Sequence, residues 1–164
     1  GGADVHAFLD KLDELLAAVR GINATNGAIY MNSAIMGKFR SALRHISYDT
    51  TLQQDIAGKR ALMWNGIPVL DAGTETDGSM VLSQDETFGD GDGALPNTSS
   101  IYAVKFGSSE GDQAVTGLTN GGVMVEDLGQ LQEKPAYRTR VEFYCGVGVF
   151  GGHAAARLNG VLNA

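Results

Sequence analysis

Between residues 137 and 150 apolar and polar side chains alternate one for one. Val141, Phe143, Cys145, Val147 and Val149 fall on one side, and Arg138, Arg140, Glu142 and Tyr144 on the other. A helix, repeating every ~3.6 residues, would scatter these groups around its circumference, whereas a strand, repeating every ~2, sorts them onto two faces. The β-branched and aromatic residues of the apolar set suit a pleated surface. The pattern therefore predicts a half-buried strand with Cys145 on its inward face. Gly151-Gly152 closes that strand, and Ala154-Ala-Ala-Arg-Leu-Asn159 leads into a short tail. Residues 101–162 as a whole read as strand-like segments separated by glycine turns, and 23 glycines against 3 prolines fit turn-rich β structure. The rest of the chain is expected to pack around this stretch.

The first half follows other periods. Val5, Phe8, Leu9, Leu12, Leu15, Leu16 and Val19 recur at three- and four-residue steps, which predicts an amphipathic helix with Asp4 as its cap, Gly21 as its stop, and Asp10, Lys11, Asp13 and Glu14 on its solvated side. Asn23-Ala-Thr-Asn-Gly27 is a turn, and Ala28-Ile-Tyr-Met31 a short buried strand. A second helix, capped by Asn32 or Ser33, carries Ile35, Met36, Phe39, Leu43 and Ile46 at helical spacing. Over 47–60 the pattern weakens into a loop with room for a short helical turn. Leu62-Met-Trp64 and Ile67-Pro-Val-Leu70 flank Asn65-Gly66, the dipeptide that best fits a two-residue hairpin turn, and the missing amide of Pro68 favours an edge position for the second strand. Residues 114–118 and 123–125 read as two further strands, with a bend or bulge at Asn120-Gly-Gly122.

Residues 71–96 read as a long acidic loop, because they hold seven carboxylates, including Asp85, Glu86, Asp90 and Asp92, and few apolar positions. Little apolar surface is available there to offset the entropy of ordering, so the segment is expected to move. Asp90-Gly-Asp-Gly93 brings calcium to mind, but the spaced oxygen ligands and terminal glutamate of an EF-hand loop are missing.

Charge and composition exclude several functions. The formal net charge of −7 argues against a surface built to neutralise phosphates, so no specific nucleic-acid partner is expected. No apolar run approaches the ~18 to 20 residues that cross a bilayer, and no signal peptide is evident, so neither membrane nor secretion is implied. A single cysteine closes no internal disulfide and suits a reducing compartment. Cys145 with His153 or His45 is the one pairing that suggests nucleophilic chemistry, and an inward-facing thiol on a strand is ordinarily an inert hydrophobe. His6, His45 and His153 lack the spacing of a zinc site. The glycines between 107 and 122 do not form a dinucleotide loop. No catalytic residue, cofactor, metal or small-molecule substrate is therefore assigned, and a small Cys/His hydrolase or an acidic-loop binding module for calcium or a basic partner stands as the alternative.

Several segments resemble a known family. Ile101-Tyr-Ala-Val-Lys-Phe-Gly107, Gly121-Gly-Val-Met-Val-Glu-Asp-Leu-Gly129, Tyr137-Arg-Thr-Arg-Val-Glu-Phe-Tyr144 and Ala154-Ala-Ala-Arg157 are similar in order and texture to the C-terminal half of tailed-bacteriophage major capsid proteins of the HK97 fold. Ala28-Ile-Tyr-Met-Asn32 and Gly66-Ile-Pro-Val-Leu70 look like that family's axial domain. The resemblance implies a structural protein whose partners are copies of itself, joined into capsomers and an icosahedral shell in the virion after assembly in the bacterial cytoplasm. It also tips the reading of Arg138, Arg140 and Glu142 from cross-strand charge pairing toward an intersubunit contact. No counterpart of the family's N-terminal arm, extended hairpin loop or long spine helix is recognisable, and with no initiator methionine the chain reads as part of a longer subunit. The expected fold is a single α+β domain over 1–164, with a mainly antiparallel or mixed sheet and at least two flanking helices.

Overall fold

The computed structural model describes residues 2–46, 62–89 and 93–162. The loop expected over 47–60 lies outside them, as do Asp90 and Asp92 and with them the calcium question. In chain order the elements are α1 (Gly2–Ala18), β1 (Gly27–Met31), α2 (Ser33–His45), β2 (Leu62–Trp64), β3 (Ile67–Asp71), β4 (Glu86–Phe88), β5 (Leu95–Lys105), β6 (Val115–Gln130), β7 (Tyr137–Val149) and β8 (Ala155–Leu162). Six strands form a mixed sheet, β2-β3-β1-β5, in which both β4 and β8 also pair with β5. β1 and β3 are parallel, as α2 between them requires, and the other pairings are antiparallel. β6 and β7 pair only with each other. The α+β class, the mixed sheet and the two helices thus agree with the sequence.

The core forms where both helical stripes meet one face of this sheet. Leu9, Leu12, Leu16 and Val19 of α1 and its C-terminal end, with Ile35, Phe39 and Leu43 of α2, bury against Ile29, Met31, Trp64, Val69, Ile101 and Ala103. Phe39, fully buried, meets the rings of Phe8 and Trp64 edge-on at 6.4 and 5.8 Å. Trp64 keeps its indole N–H satisfied by donating to Asp13 Oδ1 at 2.8 Å. Asn32, not Ser33, caps α2: its side-chain oxygen accepts from the Ile35 amide at 2.8 Å, while its Nδ2 donates to the buried Ser99 Oγ at 2.9 Å, tying the helix start to β5.

Four expectations need correction. Asp4 lies in the first turn of α1 and does not precede it. Pro68 is not on an edge strand, since β3 lies between β2 and β1. Asn65 and Gly66 (φ 49° and 79°) close a two-residue turn, so Trp64 and Ile67 exchange hydrogen bonds and the next pair, Met63 with Pro68, does not. Toward β1 the register begins only at Val69, so the missing amide interrupts neither ladder. The acidic stretch 71–96 is not structureless: it contains β4, and Glu86 there accepts from Ser100 Oγ and, at 3.0 Å, from Arg157 Nη2. Finally, the short tail expected after Asn159 is still strand, since β8 runs on to Leu162; Arg157 of that strand stands 5.8 Å over the Tyr102 ring opposite it.

Candidate assembly interface

The largest departure from expectation is the ribbon of β6 and β7. Of the stretch 101–162 that the rest of the chain is expected to pack around, the end of β5 and β8 do belong to the six-stranded sheet, whereas the ribbon is joined to that sheet at a compact root. There Phe106 bridges Val115, the Gly107 amide donates to Val115 O at 3.0 Å, and the Phe150 amide donates to Ala114 O at 3.0 Å. Ala114 is fully buried at this junction, and a side chain at 107 would stand 2.8 Å from the Cβ atoms of both Ala114 and Asp112. The Asp112 carboxylate accepts the backbone N–H groups of Ser108 and Ser109 at 2.9 and 3.0 Å, which hold its carboxyl below the usual range.

From the root the register runs regularly from Val115↔Val149 to Thr119↔Cys145, shifts, and resumes at Val123↔Phe143. The shift is the bulge expected at 120–122, where Gly121 and Gly122 (φ 77° and 81°) adopt backbone conformations other residues resist. It joins into one long strand what the sequence reads as two. Because β7 runs straight past the bulge, the face of each cross-strand pair follows from β7 alone.

One face holds the pairs Val115/Val149, Gly117/Val147, Thr119/Cys145, Val123/Phe143 and Val125/Val141, followed toward the tip by Asp127/Thr139, which brings one carboxylate onto it. The opposite face mixes Leu118, Met124 and Tyr144 with Glu126, Arg140 and Glu142. The predicted sorting of side chains is present, but the predicted burial is not: Val147 is 74% exposed, Val125 67% and Phe143 52%, and Cys145 is exposed too. A two-stranded ribbon has a pleat but no second layer, and no other element among the described residues covers it. At the ~60–120 Å² implied for one Val or Phe side chain, Val123, Val125, Val141, Phe143, Val147 and Val149 leave on the order of 400 Å² of apolar surface in water. The largest apolar patch on a single chain is commonly of about this size and is often functional.

The predicted contact residues separate. Arg140 and Glu142 form an ion pair along their own strand on the mixed face, with Glu126 opposite Arg140, while Arg138 lines a recess near the ribbon tip with Leu131, Glu133 and Lys134. The apolar pairs beside them are the part that sequence reasoning assigned to the interior. His153 lies in the turn after β7 and His45 at the end of α2, while Cys145 within β7 is a free, exposed thiol. Its burial, the ground for calling it inert, is contradicted by its place on the open face. Among the described residues no group of His, Cys, Asp and Glu is placed to hold a metal, and no helix is long and apolar enough to cross a membrane.

No protein-family model matches this chain, and no curated protein matches it in sequence. Among solved structures it is similar to the holo-SrpI encapsulin complex from Synechococcus elongatus PCC 7942, with a TM-score of 0.62 and 18% identity over 94% of this chain. The match takes in 50% of the encapsulin chain, so this chain spans about half that protein's length. At such identity the likeness speaks for the fold, which is the HK97-like α+β architecture.

Proposed function

We propose that this chain is part of a shell-forming structural subunit that associates with copies of itself, as the major capsid protein of a tailed phage does. The observation that carries the reading is the conjunction of an HK97-like fold with a long ribbon whose mainly apolar face is open to water in the single chain. A contiguous apolar face is a natural place for a partner to dock, and symmetric assembly supplies one in every subunit. In this reading the role is structural, with no substrate or cofactor, assembly takes place in the bacterial cytoplasm, and Arg138, Arg140 and Glu142 take part in an intersubunit contact through the ribbon's mixed face.

A cellular compartment is the second reading, favoured by the encapsulin as structural neighbour. Both readings expect weak, concentration-dependent association of the 164-residue chain, because a patch of this size barely offsets the roughly 4–15 kcal/mol entropic cost of association. Sedimentation velocity over a concentration series tests the shared claim, and a strictly monomeric chain at every concentration contradicts it. Electron microscopy of particles formed by the whole gene product then separates the two: DNA inside supports the phage, protein cargo the compartment.

A further inference from the structure

Asparagine followed by glycine occurs four times in the chain, at Asn26, Asn65, Asn120 and Asn159. Such a pair carries its own chemistry, because a following residue without a side chain lets its backbone nitrogen reach the asparagine Cγ. Three of the four pairs are restrained. The Asn26 side chain accepts from the Asn23 amide at 2.8 Å and donates to Gly21 O at 3.1 Å, and the nitrogen that would attack, that of Gly27, is itself donating to Asn23 O at 2.9 Å. Asn65 donates through Nδ2 to Asp13 Oδ1 at 2.8 Å and sits in the tight turn between β2 and β3. Asn159 belongs to a strand held on β5, and the Phe88 ring lies over its glycine so closely that a Cβ on Gly160 would stand 2.8 Å from Phe88 Cγ. Asn120 has none of these restraints. It is exposed, and its side chain has no hydrogen-bond partner among the described residues. Gly121 and Gly122 lie outside the register of the ribbon, and nothing is within 4 Å of where a Cβ on either would be.

We propose that Asn120, in the bulge of β6, is a site of spontaneous deamidation, and that the fold protects the other three pairs from the same reaction. The inference is independent of the shell reading. The Gly121 nitrogen, its proton taken by hydroxide, bonds to Asn120 Cγ, and the Nδ2 group leaves as ammonia, closing a five-membered cyclic imide. Water then opens the imide. Addition at Cγ breaks the new bond and leaves aspartate. Addition at the main-chain carbonyl carbon breaks the original peptide bond and leaves isoaspartate, in which the chain runs through the former side chain. Either route consumes one water and releases one ammonia, with no change of oxidation state. The bulge suits the product as well as the reaction: residues 120–122 of β6 stand opposite Tyr144 alone, so the extra main-chain carbon of isoaspartate falls where the strand is already slack. The outcome is a new carboxylate on the ribbon, between the Thr119/Cys145 and Val123/Phe143 pairs.

Incubating the 164-residue chain at mildly alkaline pH, sampling over days and digesting each sample in acid for peptide mass spectrometry follows all four sites at once. Emission from Trp64, the only tryptophan and buried in the sheet body, reports that the chain is still folded at each time. The Asn120 peptide should convert to aspartate and isoaspartate about tenfold or more faster than the Asn26, Asn65 and Asn159 peptides, since each restrained pair must first open locally. In urea the four rates should draw together, the three slow sites speeding up while Asn120 changes little. Asn120→Gln, whose longer side chain does not close the five-membered ring, should abolish the mass gain in that peptide and leave the other three unchanged. Equal rates at all four sites in the folded chain would overturn the proposal. So would an Asn120 that accelerates in urea as much as the others, or a mass gain that persists in Asn120→Gln.

Discussion

β5 and β7 obey the same rule of alternation and meet opposite fates. In β5, Ile101 and Ala103 point at the helices and are fully buried, while Tyr102 and Val104 point away; in β7, Val147, in the same kind of position, is three-quarters exposed. The difference is what lies over the strand. β5 has neighbours on both edges and two helices above it, whereas β7 has β6 on one edge and nothing above either face among the described residues. Period-two patterning therefore states that a face needs cover and is silent on whether the cover belongs to the same chain.

The comparison breaks first, if it is wrong, under truncation of matched aromatic residues. Phe39→Ala removes a fully buried ring touching Phe8 and Trp64 and should cost about 3–5 kcal/mol in urea unfolding followed by Trp64 fluorescence. Phe143→Ala in the dilute chain should change stability by no more than about 0.5 kcal/mol. Equal losses would mean that the ribbon is packed against the body.

A smaller effect belongs to Asn32, which holds both the α2 amide and Ser99. Asn32→Ala should cost about 1–2 kcal/mol, and Asn32→Ser, which keeps the cap but not the reach to β5, should recover part of it. Smaller still is the ion pair of Glu86 with Arg157, partly exposed on the sheet's other face. Glu86→Gln should lower stability by no more than about 1 kcal/mol, and added salt should shrink the difference.

The smallest effect sharpens the ribbon side. The Asp112 carboxyl sits below its ordinary value of 3.8 because the Ser108 and Ser109 amides favour its charged form. Its contribution to the root is therefore complete above the unfolded value and is lost as pH falls through the lower folded one. Acid titration should raise protease cleavage at the ribbon root before the sheet body unfolds, and Asp112→Asn should make cleavage there less dependent on pH. A root equally resistant at every pH would show that these hydrogen bonds do not matter to it.

Much of the sheet body was legible in the sequence because its signals are local and agree. The heptad-like stripe of α1, the Asn32 cap, the Asn65-Gly66 turn and the strand at 28–31 each carry their own physical cause. What escaped depends on long-range placement. β8 was read only as the end of a strand-like stretch running into a tail, because Ala155, Ala156 and Gly160 carry little hydrophobic signal and pairing with β5 is what defines the strand. β4 was hidden because Glu86 earns its place through Arg157, 71 residues away. Pro68 misled because its missing amide was read without knowing which hydrogen bonds the hairpin leaves unmade. At the candidate site the two faces of β7 were legible residue by residue, while the exposure of the apolar one was not, since a strand in a ribbon and a strand in a sheet are written alike.

Amide hydrogen exchange across a dilution series tests the central claim most directly. At low concentration the amides of β1 and β5 should exchange only through global unfolding and those of β6 and β7 through local opening, and protection of the ribbon should rise with concentration as copies cover its apolar face. A ribbon as protected as β5 in the most dilute sample, or one whose protection never responds to concentration, would contradict the claim that this face is completed by another copy.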